Sequence, residues 1–209
     1  MNVVARDELL YAAANSALIF PKKSDVAIII GNGPSLRRYN VELYKLYKQT
    51  NPVVFGVNRV FLTSVKVPIH YYVALDKTTW KRELQQIHRL KSLRYFTVEK
   101  YIDSAQVARL KTFRYSPDSW VHFASKWGDP MGHGRTSVFP CMQLACMAGV
   151  KQVHVFGVDM CRDNDGISHD GRNLDRDPRS WKWGKQAIIV GINELEKNGI
   201  ECKIHSDLF

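Results

Sequence analysis

Residues 25–30 read Asp-Val-Ala-Ile-Ile-Ile and run without a spacer into Gly31-Asn32-Gly33-Pro34-Ser35-Leu36. Five consecutive apolar residues, four of them β-branched, leave a strand no polar face to turn to water. Such a run belongs inside a parallel sheet that is covered on both sides. The G-x-G that ends it lets the backbone turn sharply and lets another group approach the main chain closely. Pro34-Ser35 then suits the opening of a helix, whose free N–H groups favour anions. A buried strand turning at once into a helix sets the pattern against which the rest of the chain is read.

The rest repeats that pattern. Helical spacing marks residues 6–18, with Pro21 as a stop, and again about 41–47, 79–90, 137–148 and 183–197. The last of these is ended by Asn198-Gly199. Apolar runs at 52–58, 70–76, 93–99, 150–159 and 200–206 read as further strands, while 104–113 fits either type. Strands that alternate with helices from end to end, and are apolar throughout, indicate an α/β fold. We expect a doubly wound, mostly parallel, Rossmann-like sheet with helices on both faces. At 209 residues with 45% apolar content the chain fills one core, so a single domain over 1–209 is expected. Two polar stretches, 116–135 and 160–179, are too long for simple connections, and loops of that length are usually functional or disordered.

No run approaches the roughly 20 apolar residues of a membrane-spanning helix. The N-terminus has no cationic segment followed by an apolar run, so the chain is read as intracellular, that is cytoplasmic. Cys141, Cys146, Cys161 and Cys202 lack metal-type spacing and are expected as reduced, buried thiols. A formal charge of +10 attracts anions, whether nucleotide phosphates, nucleic acid or an anionic membrane face. The basic residues are scattered rather than gathered in one run, which weakens the nucleic-acid reading without excluding it.

Ligands of doubly wound sheets sit at the carboxyl ends of the strands. Gly31, Asn32, Gly33 and Ser35 lie at such an end, and Asn58 and Asp76 close the next two apolar strands. Each of the latter two reads equally well as a loop cap. Arg135-Thr136-Ser137 enters the apolar helix 137–148, where Thr136 or Ser137 is a natural N-cap. The same helix start, with Arg135 beside it, also suits a phosphate. Gly157 and Asp159 end the strand that follows. The first turn lacks the third glycine of a dinucleotide fingerprint and the lysine of a P-loop, so neither motif is implied.

The block GNGPSL, together with G-R-T-S-(x11)-G-V-K-Q-V-H-V-F-G-V-D over residues 134–159, resembles two related groups. One is the sialyltransferases of glycosyltransferase family 42, which use CMP-sialic acid. The other is the DUF115 family, similar to 6-hydroxymethyl-dihydropterin diphosphokinase. The second block also resembles the small sialyl motif of the family 29 sialyltransferases. The match covers roughly the first 60 residues and residues 134–160.

The resemblance implies a GT-A-variant transferase that holds a nucleotide through Asn32, Asn58 and the Thr136-Ser137 helix start. It implies a nucleotide-sugar donor of the CMP-linked type, a glycan or small hydroxyl acceptor, and no required cofactor. The family's general-base histidine would fall at Trp183, counting back from Leu195-Glu196-Lys197, and the family's tyrosines have no match after Asp159. His169 in the polar loop and His133 beside Arg135 are the histidines left to deprotonate an acceptor hydroxyl, with Asp76 as an orienting group. Through its second branch the resemblance implies pyrophosphoryl transfer from ATP, with Mg²⁺ on Asp76 and Asp159. The charge and the missing histidine also fit a non-catalytic nucleotide or nucleic-acid binder. Trp80, Trp120, Trp127, Trp181 and Trp183 offer aromatic planes for stacking on a base or sugar, or for burial under a long loop.

Overall fold

A computed structural model describes residues 19–98, 107, 109–117, 119–159 and 178–206, except the side chains of 178 and 180. The helix expected at 6–18, the loop residues 160–177 with His169 and Cys161, and most of 99–108 lie outside the described residues.

Among the described residues seven strands form one sheet: β1 (Val26–Ile30), β2 (Val53–Val57), β3 (Tyr71–Val73), β4 (Arg94–Val98), β5 (Leu110–Phe113), β6 (Gln152–Phe156) and β7 (Glu201–His205). Their order across the sheet is β5-β4-β3-β2-β1-β6-β7, and every neighbouring pair is parallel. The ambiguous segment 104–113 thus supplies an edge strand. Among the described residues four α-helices complete the layers: α1 (Leu36–Thr50), α2 (Lys77–Arg89), α3 (Val138–Met147) and α4 (Pro178–Lys197).

Right-handed crossovers decide where the helices go. The chain walks from β1 out to β5 in one direction, then returns to lay β6 and β7 on the other side of β1. Reversing direction with the same handedness puts the two sets of helices on opposite faces. The packing agrees. Ile28, Ile30, Val54, Tyr72 and Tyr95 point to one face and pack with Leu36 and Leu43 of α1 and Trp80 and Ile87 of α2. Ala27, Ile29, Phe55, Tyr71, Val153 and Val155 point to the other and pack with Cys141, Met142 and Leu144 of α3 and Ile188 and Leu195 of α4. Every side chain of β1 and β2 is buried, which accounts for their unbroken apolar runs. Each buried Val, Ile or Phe contributes about 1.5–3 kcal/mol. Cys141 is a buried free thiol, and Cys146 and Cys202 are free and partly exposed. No helix among the described residues is long and apolar enough to cross a membrane.

Reversal at β1 creates a crevice between the carboxyl ends of β1 and β6, the topological switch point where such sheets bind ligands. The helices run antiparallel to the strands, so α1, α2 and α3 all begin at this rim.

Candidate functional site at the sheet rim

The turn after β1 is joined to the turn after β6. Gly31 N–H donates to the Phe156 carbonyl (2.8 Å) and Gly33 N–H to the Gly157 carbonyl (2.7 Å), extending the ladder past the end of the sheet. A Cβ on Gly31 would overlap the Gly157 carbonyl oxygen, and one on Gly33 would overlap the Asp159 carboxylate. Gly157 itself has φ +66°, the left-handed region glycine tolerates best. The glycines are therefore needed for one chain segment to approach another.

Asp159 is buried. Its Oδ2 accepts from Ser35 N–H (2.7 Å) and its Oδ1 from the Ser206 hydroxyl (2.6 Å). It thus serves α1 as an N-terminal carboxylate across the crevice, where the helix dipole favours negative charge. Beside it, Asn32 Oδ1 and Ser35 Oγ are both buried and have no hydrogen-bond partner among the described residues.

Asn58 follows β2 with φ +47°, a conformation asparagine enters more readily than other side-chain-bearing residues. Its N–H donates to the Val73 carbonyl (3.1 Å), and its carbonyl accepts from the Tyr72 hydroxyl (2.6 Å). Burial pushes the Tyr72 phenol well above its ordinary pKa, so it stays a donor. The Asn58 side chain, fixed by this backbone, accepts at Oδ1 from the Ser137 hydroxyl (2.9 Å). Ser137 is the N-cap residue of α3, yet its hydroxyl faces Asn58 instead of capping. Thr136 Oγ1 accepts from Val138 N–H at 3.3 Å. Asn58 and Ser137, 79 residues apart, thus form one clasp over the rim.

Arg135 has φ +56° and follows Gly134, also left-handed at +57°. The resulting turn carries its guanidinium over the Trp183 ring of α4, 4.7 Å from the centroid. Arg135 N–H donates to His133 Nδ1 (3.1 Å), so the neutral His133 ring carries its proton on Nε2. Burial, and then the Arg135 charge, lower the His133 pKa. Asp76 is exposed and caps α2, accepting from Thr78 N–H at 2.7 Å. Among the described residues no three His, Cys, Asp or Glu side chains come together as metal ligands.

Three features escaped the sequence reading. Gln143, fully buried in α3, accepts at Oε1 from Ala124 N–H (3.0 Å) and Gly132 N–H (3.2 Å). Its Nε2 donates to the Gly132 carbonyl (2.8 Å). It pins the long loop 116–135 to the core, and its one visible signal was an amide inside the otherwise apolar run VFPCMQLACM. Arg59, directly after Asn58, has Nε 3.5 Å from Glu83 of α2. Trp183 serves as the platform for Arg135, a pairing that no spacing in the sequence could announce.

A scan against protein-family models finds no match, and neither does a search of curated proteins. Among solved structures the chain is similar to the MAf glycosyltransferase from Magnetospirillum magneticum AMB-1, with a TM-score of 0.57 and 13% sequence identity. The likeness is one of fold. It covers 90% of this chain and 35% of that one, so the present chain spans about a third of the length of its neighbour.

Proposed function

We propose that the chain is a glycosyltransferase that takes a nucleotide-activated sugar and passes the sugar to a hydroxyl acceptor. The observation that carries this reading is the pair of buried oxygens, Asn32 Oδ1 and Ser35 Oγ, unpartnered at the switch point. Each such group costs about 1–3 kcal/mol when left unsatisfied, which a ligand would relieve. A nucleoside supplies both complements: amine or hydroxyl donors for Asn32 and base or ribose oxygens for the Ser35 hydroxyl. The fold shared with a solved glycosyltransferase supports the same reading.

In this proposal Gly31, Asn32, Gly33, Ser35, Asn58, Thr136, Ser137 and Gly157 shape and hold the nucleotide. Asp159 braces the crevice, Arg135 offsets phosphate charge and Asp76 orients donor or acceptor. The acceptor oxygen bonds to the anomeric carbon as that carbon's bond to the donor phosphate breaks. The electron pair leaves with the nucleotide, and the hydroxyl proton passes to a histidine. We assign that proton to His169, because His133 Nδ1 already accepts from Arg135 N–H; His133 takes the role only once that bond opens. A CMP-linked acidic sugar is the donor favoured by the sequence resemblance.

Thermal-shift titration with CMP, UDP and ATP, followed by hydrolysis assays on CMP-, UDP- and GDP-sugars, tests the reading. A nucleotide at 100 times its Kd adds about 2.7 kcal/mol, which raises the melting temperature of a domain this size by roughly 5–11 °C. No shift with any nucleotide and no turnover of any sugar nucleotide would remove the proposal. Magnesium-dependent conversion of ATP to AMP would replace it with pyrophosphoryl transfer.

A further inference from the structure

Along the same rim, past β3 and β4, a cleft of about 480 Å³ opens at the carboxyl end of β5. Its lining includes Thr112, Phe113, Arg114, Trp127, Asp129 and Met131. That volume falls within the range of roughly 300–1,000 Å³ in which small molecules are held. Phe113 and Met131 are buried and form its apolar floor, while Thr112, Arg114 and Asp129 are exposed at its mouth. Trp127 is half-buried, with its ring packed edge-on against Phe96 (5.8 Å, 69°), which fixes the plane of the indole.

The walls are joined to each other. Met131 N–H donates to the Arg114 carbonyl (2.8 Å) and Ser116 N–H to the Met131 carbonyl (2.9 Å). The loop that carries Trp127 and Asp129 is held to α3 by Gln143 on both sides, through Ala124 and Gly132. A cleft braced in this way keeps its shape without a ligand, which lowers the ordering cost of binding.

The chemistry of the lining selects among ligands. A purely apolar molecule would leave Arg114 and Asp129 without complements. A phosphorylated one would meet the Asp129 carboxylate. A polyhydroxylated ring satisfies all of them: its C–H face lies on the indole, its hydroxyls donate to Asp129, and its oxygens accept from Arg114 and Thr112. A chain of neighbouring side chains leads from the cleft towards Arg135. The Tyr115 ring, next to Arg114, lies 4.9 Å from the His133 ring, and His133 accepts from Arg135 N–H at the entry to α3.

We infer that this cleft is a carbohydrate subsite, and that it receives the acceptor sugar. The second half of that statement rests on the glycosyl-transfer reading; the first does not.

Saturation-transfer NMR on the full chain, with methyl glycosides of glucose, galactose and N-acetylglucosamine and with N-acetylneuraminic acid as probes, tests the inference. Probes at roughly 10 mM reach the weak affinities expected of single sugars. At least one should show transfer, and the Arg114→Ala/Asp129→Asn variant should weaken it about tenfold or more. Both side chains are exposed, so the variant should keep its melting temperature, and it should bind nucleotide as the wild type does. Absence of transfer from every probe overturns the inference, as does transfer undiminished in the variant. A parallel loss of nucleotide affinity overturns it too, by giving the cleft to the donor. Sugar binding without any nucleotide binding would leave the carbohydrate subsite standing while the function proposed above fell.

Discussion

Gln143 offers the sharpest test of how the long loop is held. Replacing it with leucine keeps most of the volume and removes every hydrogen bond. Gly132 N–H retains a second acceptor in the His122 carbonyl (3.0 Å), so it is not orphaned. Ala124 N–H loses the acceptor it has at 3.0 Å, and the Gly132 carbonyl loses its donor at 2.8 Å. One buried donor and one buried acceptor left unmade cost about 2–6 kcal/mol together. For a chain of this size that corresponds to a fall in melting temperature of roughly 4–24 °C. Urea unfolding gives the energy, and hydrogen exchange at Ala124 localises it. A loss under about 1 kcal/mol with Ala124 protection unchanged would refute the argument. Gln143→Glu adds a pH signature. Its protonated form keeps one donor and one acceptor, whereas the ionised form is a buried charge. Burial raises the folded pKa above the unfolded value of about 4.3, so this variant is closest to wild type below that pH and weakens as pH rises.

The wild type carries the opposite pH dependence. His70 Nδ1 accepts from Val54 N–H (3.0 Å), and burial, then Lys22, push its pKa down to about 4. His154 is likewise lowered to about 4, by burial first and then by His205 and Lys203. Both folded values lie below the unfolded value of about 6.5, so the unfolded chain binds protons first. Stability should be full above that pH and fall towards pH 4 by about 1–2 kcal/mol for each ring, allowing for solvent screening. His70→Asn keeps an acceptor without the titration. Urea midpoints measured across that range should therefore show a shallower slope, and an unchanged slope would count against the assignment. Gly33→Ala forces a methyl group against Asp159 and should cost about 1–3 kcal/mol in chemical denaturation; a neutral effect would mean the crevice can relax. Asn58→Ala should lose about 2 kcal/mol, from left-handed strain and the lost Ser137 bond. Asn58→Gly should recover the strain part of that loss but bind nucleotide as weakly as the alanine variant, which titration calorimetry reads directly.

The layered fold was legible because a strand buried on both faces writes its burial into every residue. VAIII and VVFGV admit no other placement, and the glycines after Ile30 mark where the chain turns. The places of Asn32 and Asn58 at the rim were legible because they follow the carboxyl ends of two apolar strands, and that of Ser137 because it opens an apolar helix. What each polar group does there was not legible. Asp159 reads in sequence as a strand end at the site and a ligand to Mg²⁺, but its oxygens meet Ser35 and Ser206, partners 124 and 47 residues away. The edge strand Leu110–Phe113 was ambiguous for a related reason. Only one of its four residues is buried, so its composition carries little trace of the sheet it joins.

Those cap assignments decide where an anion is best received. α1 has the Asp159 carboxylate at its N-terminus and α2 has Asp76. α3 has no acidic residue in its first turn, and there Val138 N–H donates one modest bond to Thr136 Oγ1 at 3.3 Å. Of these three helices it alone has an N-terminal charge not already met by a carboxylate, and Arg135, braced on Trp183, stands beside it. Phosphate charge should therefore be felt at α3, and the nucleoside at the crevice between β1 and β6. Arg135→Ala then becomes a ruler. It should weaken a nucleoside diphosphate by about 1–2 kcal/mol, or roughly 5- to 30-fold, a monophosphate less, and the uncharged nucleoside hardly at all. Loss of the cation–π contact should change stability by no more than about 1 kcal/mol. Calorimetric titration of the three ligands into both proteins reads the gradient. Equal weakening of all three would mean that Arg135 shapes the pocket rather than meeting phosphate, and the division of the rim into a nucleoside end and a phosphate end would fail with it.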